Sequence, residues 1–129
     1  MPYRFTRARV LRGIYALCLA GATYNHIVPL LQHGLLWDYY GMPLFYATFW
    51  TSLTVCDPLA IICLFAWPTT GTALTAAIII VDVAVNTAFA LGHPFDQAAV
   101  ISQWIFLVFV LSTLTMARQD LRWRSPRAH

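Results

Sequence analysis

Two aspartates interrupt what otherwise reads as hydrocarbon: Asp57 in "TVCDPLAIICLF" and Asp82 in "IIIVDVAVNTAFALGH". A carboxyl in such a setting can balance a cation, share a proton with a second carboxyl, act as general acid or base on a lipid-soluble substrate, or fasten two helices together. On insertion scales an aspartate at the centre of a membrane helix costs about 2.5 to 3.5 kcal/mol, so neither side chain should face lipid. Asp82, Asn86, Phe89 and His93 are spaced by 4, 7 and 11 residues, which places them on one helical stripe and predicts a polar path from mid-membrane outward. Pro58 cannot donate to the carbonyl of Thr54, so an acceptor is left free one turn from Asp57 and the helix is expected to bend there.

Further polar residues cluster toward one end. Asn25 and His26 fall in the outer third of the first apolar stretch, and Gln103 should reach a similar depth in the last. Together they predict an outward-opening pocket with Asn25, His26, Asn86 and Gln103 near its mouth and Asp57 and Asp82 at its floor. Trp50, seven residues before Asp57, and Phe89 are its expected aromatic walls. The alternative for each polar residue is plain interhelical hydrogen bonding.

The elements that must carry these residues are set by composition. Of 129 positions 60% are hydrophobic and only 10% are charged, and four apolar stretches, 11–31, 45–67, 72–91 and 98–117, each approach the ~20 residues that cross a bilayer core. The reading is a single-domain, all-α integral membrane protein occupying 1–129, an antiparallel four-helix bundle. At a rise of about 1.5 Å per residue, Asp57 should lie about 18 Å from the outer end of its helix and Asp82 about 15 Å from the inner end of the next, so the two carboxyls should come within about one turn of the same depth.

Charge gives the orientation. There is no lysine, and the arginines fall only at the ends: Arg4, Arg7, Arg9 and Arg12, then Arg118, Arg122, Arg124 and Arg127. Both termini are therefore expected in the cytoplasm, with Pro68, Thr69, Thr70 and Gly71 as an uncharged inner turn. These arginines read as topology and lipid-headgroup contacts rather than nucleic-acid binding. Trp37, Tyr39, Tyr40 and Trp104 fit headgroup-level anchors on the opposite side. A rival reading of the N-terminal segment is a secretory signal cleaved after Ala20, Gly21 and Ala22, but the apolar run continues through "HIVPLL" and is long enough to span. The exclusive use of arginine points to a GC-rich bacterial genome, hence to a multi-pass protein of the bacterial inner membrane.

Cys18, Cys56 and Cys63 all lie within spans and are expected as packing residues rather than a disulfide framework. His26, His33 and His93 with Asp38 or Asp96 have the residue types for zinc, copper or haem ligation, yet no pair has a compact spacing, and no metal or cofactor is assigned. Phosphate-binding glycine loops, CxxC pairs and serine-nucleophile elbows are absent.

The stretch "CDPLAIICLFAWPTTGTALTAAIIIV", with an acid midway along the second span followed by a short turn and a third span, resembles the DoxX-like superfamily of small four-helix membrane proteins. That group is similar to the EXPERA domain of sterol isomerases and the sigma-2 receptor. The resemblance implies a ligand cavity lined by acids, with Asp57 matching the second-helix acid. The chain differs in having Pro58 and Leu59 where the DoxX-like pattern has a glycine pair, and in lacking the arginine of the following turn. The leading functional expectation is binding or transport of a small amphipathic or cationic molecule. The alternatives are an enzyme acting on a quinone or isoprenoid, with an aspartate as acid or base and His26 as its partner, and an accessory subunit that docks a larger membrane complex. Self-association or a membrane partner is expected for so small a chain.

Overall fold

The structure, a computed structural model, describes residues 6–119. Four helices account for nearly all of them: α1 (Arg7–His33), α2 (Leu44–Ala66), α3 (Pro68–Gly92) and α4 (Gln97–Arg118). Each is long and apolar enough to cross a membrane, which suggests a multi-pass membrane protein. Large apolar side chains on the bundle's exterior, such as Leu17, Val55, Ile105 and Val108, are exposed as lipid-facing residues would be.

Local chemistry sets the ends. The Thr6 hydroxyl accepts from the Arg9 amide at 3.3 Å to start α1, and the Asp96 carboxylate accepts from the Ala98 amide at 2.9 Å to start α4. Gly34, at φ 92°, ends α1 in a conformation that a side chain would resist. Pro68 occupies the first turn of α3, where a missing amide hydrogen leaves no bond unmade.

The expected inner turn is corrected here. Only Trp67 separates α2 from α3, and Pro68, Thr69, Thr70 and Gly71 are helical. Trp67 donates its amide to the Cys63 carbonyl at 2.8 Å and receives the Gly71 amide at 2.8 Å, so the chain reverses with its backbone bonds made. The approach is so close that a Cβ on Gly71 would run into the backbone of Cys63 and Leu64. Thr72 and Thr75 return their hydroxyls to carbonyls of Pro68 and Gly71, both at 2.8 Å, which satisfies them inside the helix.

The helices pack in a ring: α1 against α2 and α4, and α3 against α2 and α4. One core cluster, built on Tyr15, Leu19, Ala60, Leu64, Ile79, Val83, Val110 and Ala117, fills the half of the bundle near the α2–α3 turn. Here α1 and α4 are sealed by hydrogen bonds. The Tyr15 hydroxyl reaches the Val110 carbonyl at 3.1 Å and the Thr113 hydroxyl at 2.6 Å, and the Arg12 guanidinium donates to the Ala117 carbonyl at 3.2 Å. Arg7, Arg9 and Arg12 thus belong to α1 rather than preceding the first span, and Arg12 is buried between helices. Arg4, Arg122, Arg124 and Arg127 lie outside the described residues. Ala20, Gly21 and Ala22 sit within unbroken α1.

Candidate functional site

The other half of the bundle encloses a cavity of about 510 Å³. α1 contributes Cys18, Leu19, Gly21, Ala22, Asn25 and His26; α2 contributes Trp50 and Asp57; α3 contributes Ile78, Ile79, Asp82 and Asn86; α4 contributes Ala99, Ser102, Gln103 and Phe106. Tyr39 and Phe95 reach in from the α1–α2 and α3–α4 connections. Four of the lining residues, Cys18, Gly21 and Asn25 on α1 and Ser102 on α4, are exposed, so the open side is the gap between these two helices.

Both aspartates face this space. Their depths differ more than helix counting implied. Because α3 begins at Pro68, Asp57 lies ten residues before Trp67 and Asp82 fifteen after it. At the α-helical rise this five-residue difference is an offset of about 7.5 Å, more than one turn, with Asp82 farther from the α2–α3 turn.

Their surroundings differ as well. One Asp82 oxygen accepts from Asn86 Nδ2 at 2.7 Å. Asn86, 2% exposed, also donates Nδ2 to Gln103 Oε1 at 3.2 Å and accepts the Trp50 indole N–H at 2.8 Å. Asn86 therefore ties α2, α3 and α4 through one amide, and every polar atom it has is used. Asp57 is 1% exposed, and neither of its carboxyl oxygens has a hydrogen-bond partner among the described residues. A buried polar group without a partner is costly in any protein and more so at membrane depth, which makes it an explicit anomaly of this fold.

Seven of the eight expected site residues, Asn25, His26, Trp50, Asp57, Asp82, Asn86 and Gln103, line this one cavity. Thr54 does not. Its hydroxyl bonds the Thr51 carbonyl of its own helix at 2.6 Å, and α2 continues through Pro58 to Ala66. Asn86 is not at the mouth but buried in the hydrogen-bond network. The polar stripe on α3 also stops at Asn86. Phe89 is 5% exposed and packs edge-on to Trp50 at 5.1 Å and Tyr46 at 4.9 Å, so it plugs the path instead of walling the cavity. His93 stacks on Phe89 at 4.4 Å beyond the plug.

The outer aromatics separate into two kinds. Tyr40 is exposed, as a headgroup anchor should be, and Trp104 is exposed with its N–H on the Thr87 hydroxyl at 3.1 Å. Tyr39 turns inward, and its hydroxyl is buried without a hydrogen-bond partner among the described residues. On α1, Cys18, Ala22 and Asn25 recur at helical spacing, as do Ala99, Ser102, Gln103 and Phe106 on α4, so these lining stripes are available to sequence reading. Tyr39 has no such signal, because its direction is set by the loop.

Among the described residues no three His, Cys, Asp or Glu side chains converge. Asp96 caps α4, and His33 stacks on Trp37 at 4.0 Å. All three cysteines are unbridged. Comparison with family models, curated proteins and solved structures finds no match.

Proposed function

We propose that this chain is an inner-membrane protein of a bacterium, an antiparallel four-helix bundle with both termini cytoplasmic, that binds or transports a small amphipathic or cationic molecule. The antiparallel arrangement is supported by paired residues that run in opposite sequence directions. Leu64 meets Gly71 and Trp50 meets Asn86 across α2 and α3, while Tyr15 meets Val110 and Arg12 meets Ala117 across α1 and α4. Cytoplasmic termini follow from the arginines at the two ends of the sequence.

One observation carries the functional reading: a fully buried carboxyl, Asp57, borders a cavity open between two helices and has no protein partner among the described residues. A cationic donor entering the cavity supplies both the missing hydrogen bonds and the missing charge. The mostly apolar remainder of the lining, from Leu19, Ile78, Ile79, Phe95 and Phe106, suits a hydrocarbon body attached to that head. The reading agrees with the acid-lined cavity implied by the resemblance to the DoxX-like and EXPERA proteins.

The test is thermal unfolding of the purified protein in lipid nanodiscs with octylamine and with neutral octan-1-ol. Octylamine should raise the unfolding temperature in a concentration-dependent way and octanol should not. Asp57→Asn should abolish the octylamine effect while leaving the folded yield intact. Equal stabilisation of wild type and Asp57→Asn by octylamine would refute the counter-ion role.

A further inference from the structure

We infer that the cavity is built for a molecule that is polar at both ends, with Tyr39 as its second pole. The inference rests on the binding function proposed above and adds the form of the ligand. The Trp50 indole, the Asn86 amide, the Gln103 oxygen and one Asp82 oxygen around the cavity form a single network. Among the lining groups outside that network, Asn25 and Ser102 are exposed, whereas the Asp57 carboxyl and the Tyr39 hydroxyl are buried and have no hydrogen-bond partner among the described residues. Buried hydroxyls and carboxyls ordinarily find partners, so two such groups on one cavity define the two places where a ligand completes the structure.

The loop that presents Tyr39 is held for this purpose by its rings. Tyr39 and Tyr40 have φ of 52° and 62°, a left-handed conformation that side-chain-bearing residues resist. The Tyr39 ring is clasped between Trp37, at 4.4 Å, and Trp50, at 5.2 Å. That clasp fixes the hydroxyl over the end of the cavity away from the α2–α3 turn. Trp50 stands seven residues of α2, about 10 Å, farther from the α2–α3 turn than Asp57, so the Tyr39 ring it clasps lies toward the other end of the cavity. The ligand form that completes both groups is a donor head at Asp57, an apolar body, and a hydroxyl or comparable hydrogen-bonding group at Tyr39.

The experiment measures equilibrium binding in lipid nanodiscs, with empty nanodiscs as blank, of 8-aminooctan-1-ol and octylamine. Wild type should bind 8-aminooctan-1-ol about tenfold tighter than octylamine, the value of one buried hydrogen bond. Tyr39→Phe preserves the ring stack and should erase the advantage of 8-aminooctan-1-ol while leaving octylamine affinity unchanged. Binding of both eight-carbon amines with equal affinity by wild type, or an advantage that survives Tyr39→Phe, would overturn the second pole and leave the Asp57 reading standing. Failure of wild type to bind either amine would overturn both.

Discussion

The bundle has two unlike halves. Near the α2–α3 turn the helices touch backbone to backbone, Tyr15 and Arg12 reach across to α4 carbonyls, and Tyr15, Leu64 and Val110 are fully buried. In the other half α1 and α4 part around a 510 Å³ cavity, where some polar groups cross-link helices through Asn86 while the buried Asp57 carboxyl and Tyr39 hydroxyl have no hydrogen bond among the described residues. Residues of the first half are paired, small or close-packed, whereas two buried groups of the second half have no hydrogen-bond partner among the described residues, so under the proposed function stability and binding fall largely to different halves.

A pair of glycines tests that division most severely. Gly71→Leu places atoms where the backbone of Cys63 and Leu64 already lies, so α2 and α3 must separate. We expect a loss of about 3 kcal/mol or more, enough to remove most of the folded protein from a gel-filtration profile. Gly21 borders the cavity, and a Cβ there would meet nothing within 4 Å. Gly21→Leu should change stability by no more than about 0.5 kcal/mol, yet narrow the cavity and weaken octylamine binding. Equal losses of folded protein in the two variants would erase the distinction between the halves.

Asn86 is the exception that sharpens the comparison, because it lines the cavity but acts structurally. Asn86→Leu removes the partner of the Trp50 indole, of an Asp82 oxygen and of the Gln103 oxygen at once. The expected cost is about 2 kcal/mol in a denaturant or thermal titration, as interhelical bonds in membranes average well under 1 kcal/mol each. A double-mutant cycle with Trp50→Phe should return a coupling energy of about 0.5 kcal/mol or more, and zero coupling would remove Asn86 from its tying role. Tyr15→Phe should cost less, about 1 kcal/mol, because the ring keeps its edge contacts with Phe106 and Phe109 and only the hydroxyl's bonds are lost.

Much of this architecture is legible in the sequence, and the reasons for the remainder are physical. Four apolar runs read correctly as four helices because a span's length is fixed by the bilayer, and the helix period brings Asp82 next to Asn86. The turn at Trp67 is hidden because Pro68 and Gly71 are turn residues by composition. Proline is equally at home in a helix's first turn, and Gly71 is required by a neighbouring backbone rather than by its own dihedrals. That shift of four residues also carries Asp82 out of register with Asp57. The stripe on α3 looks continuous through Phe89, but periodicity tells which residues share a face and not whether a ring on that face closes it. Tyr39 resembles an interfacial aromatic in sequence because its inward turn depends on left-handed backbone at Tyr39 and Tyr40, a tertiary outcome with no local code.

The smallest effect on stability is expected at the residue with the largest effect on binding. Asp57→Asn replaces a buried carboxyl that has no hydrogen-bond partner among the described residues with an amide of the same shape. No bond is lost, and the burden of holding a potential charge away from water is relieved, so without ligand the variant should match wild type within about 0.5 kcal/mol or exceed it. Asp82→Ala, which deprives Asn86 of an acceptor, should fall below wild type in the same thermal or denaturant titration. A loss of more than about 1 kcal/mol for Asp57→Asn would mean that the carboxyl fastens the bundle, and the two acids would then have the same role. Near-zero change at Asp57 beside a measurable loss at Asp82 is the outcome that separates a ligand-facing acid from a helix-tying one, since both variants remove one carboxylate from the same cavity.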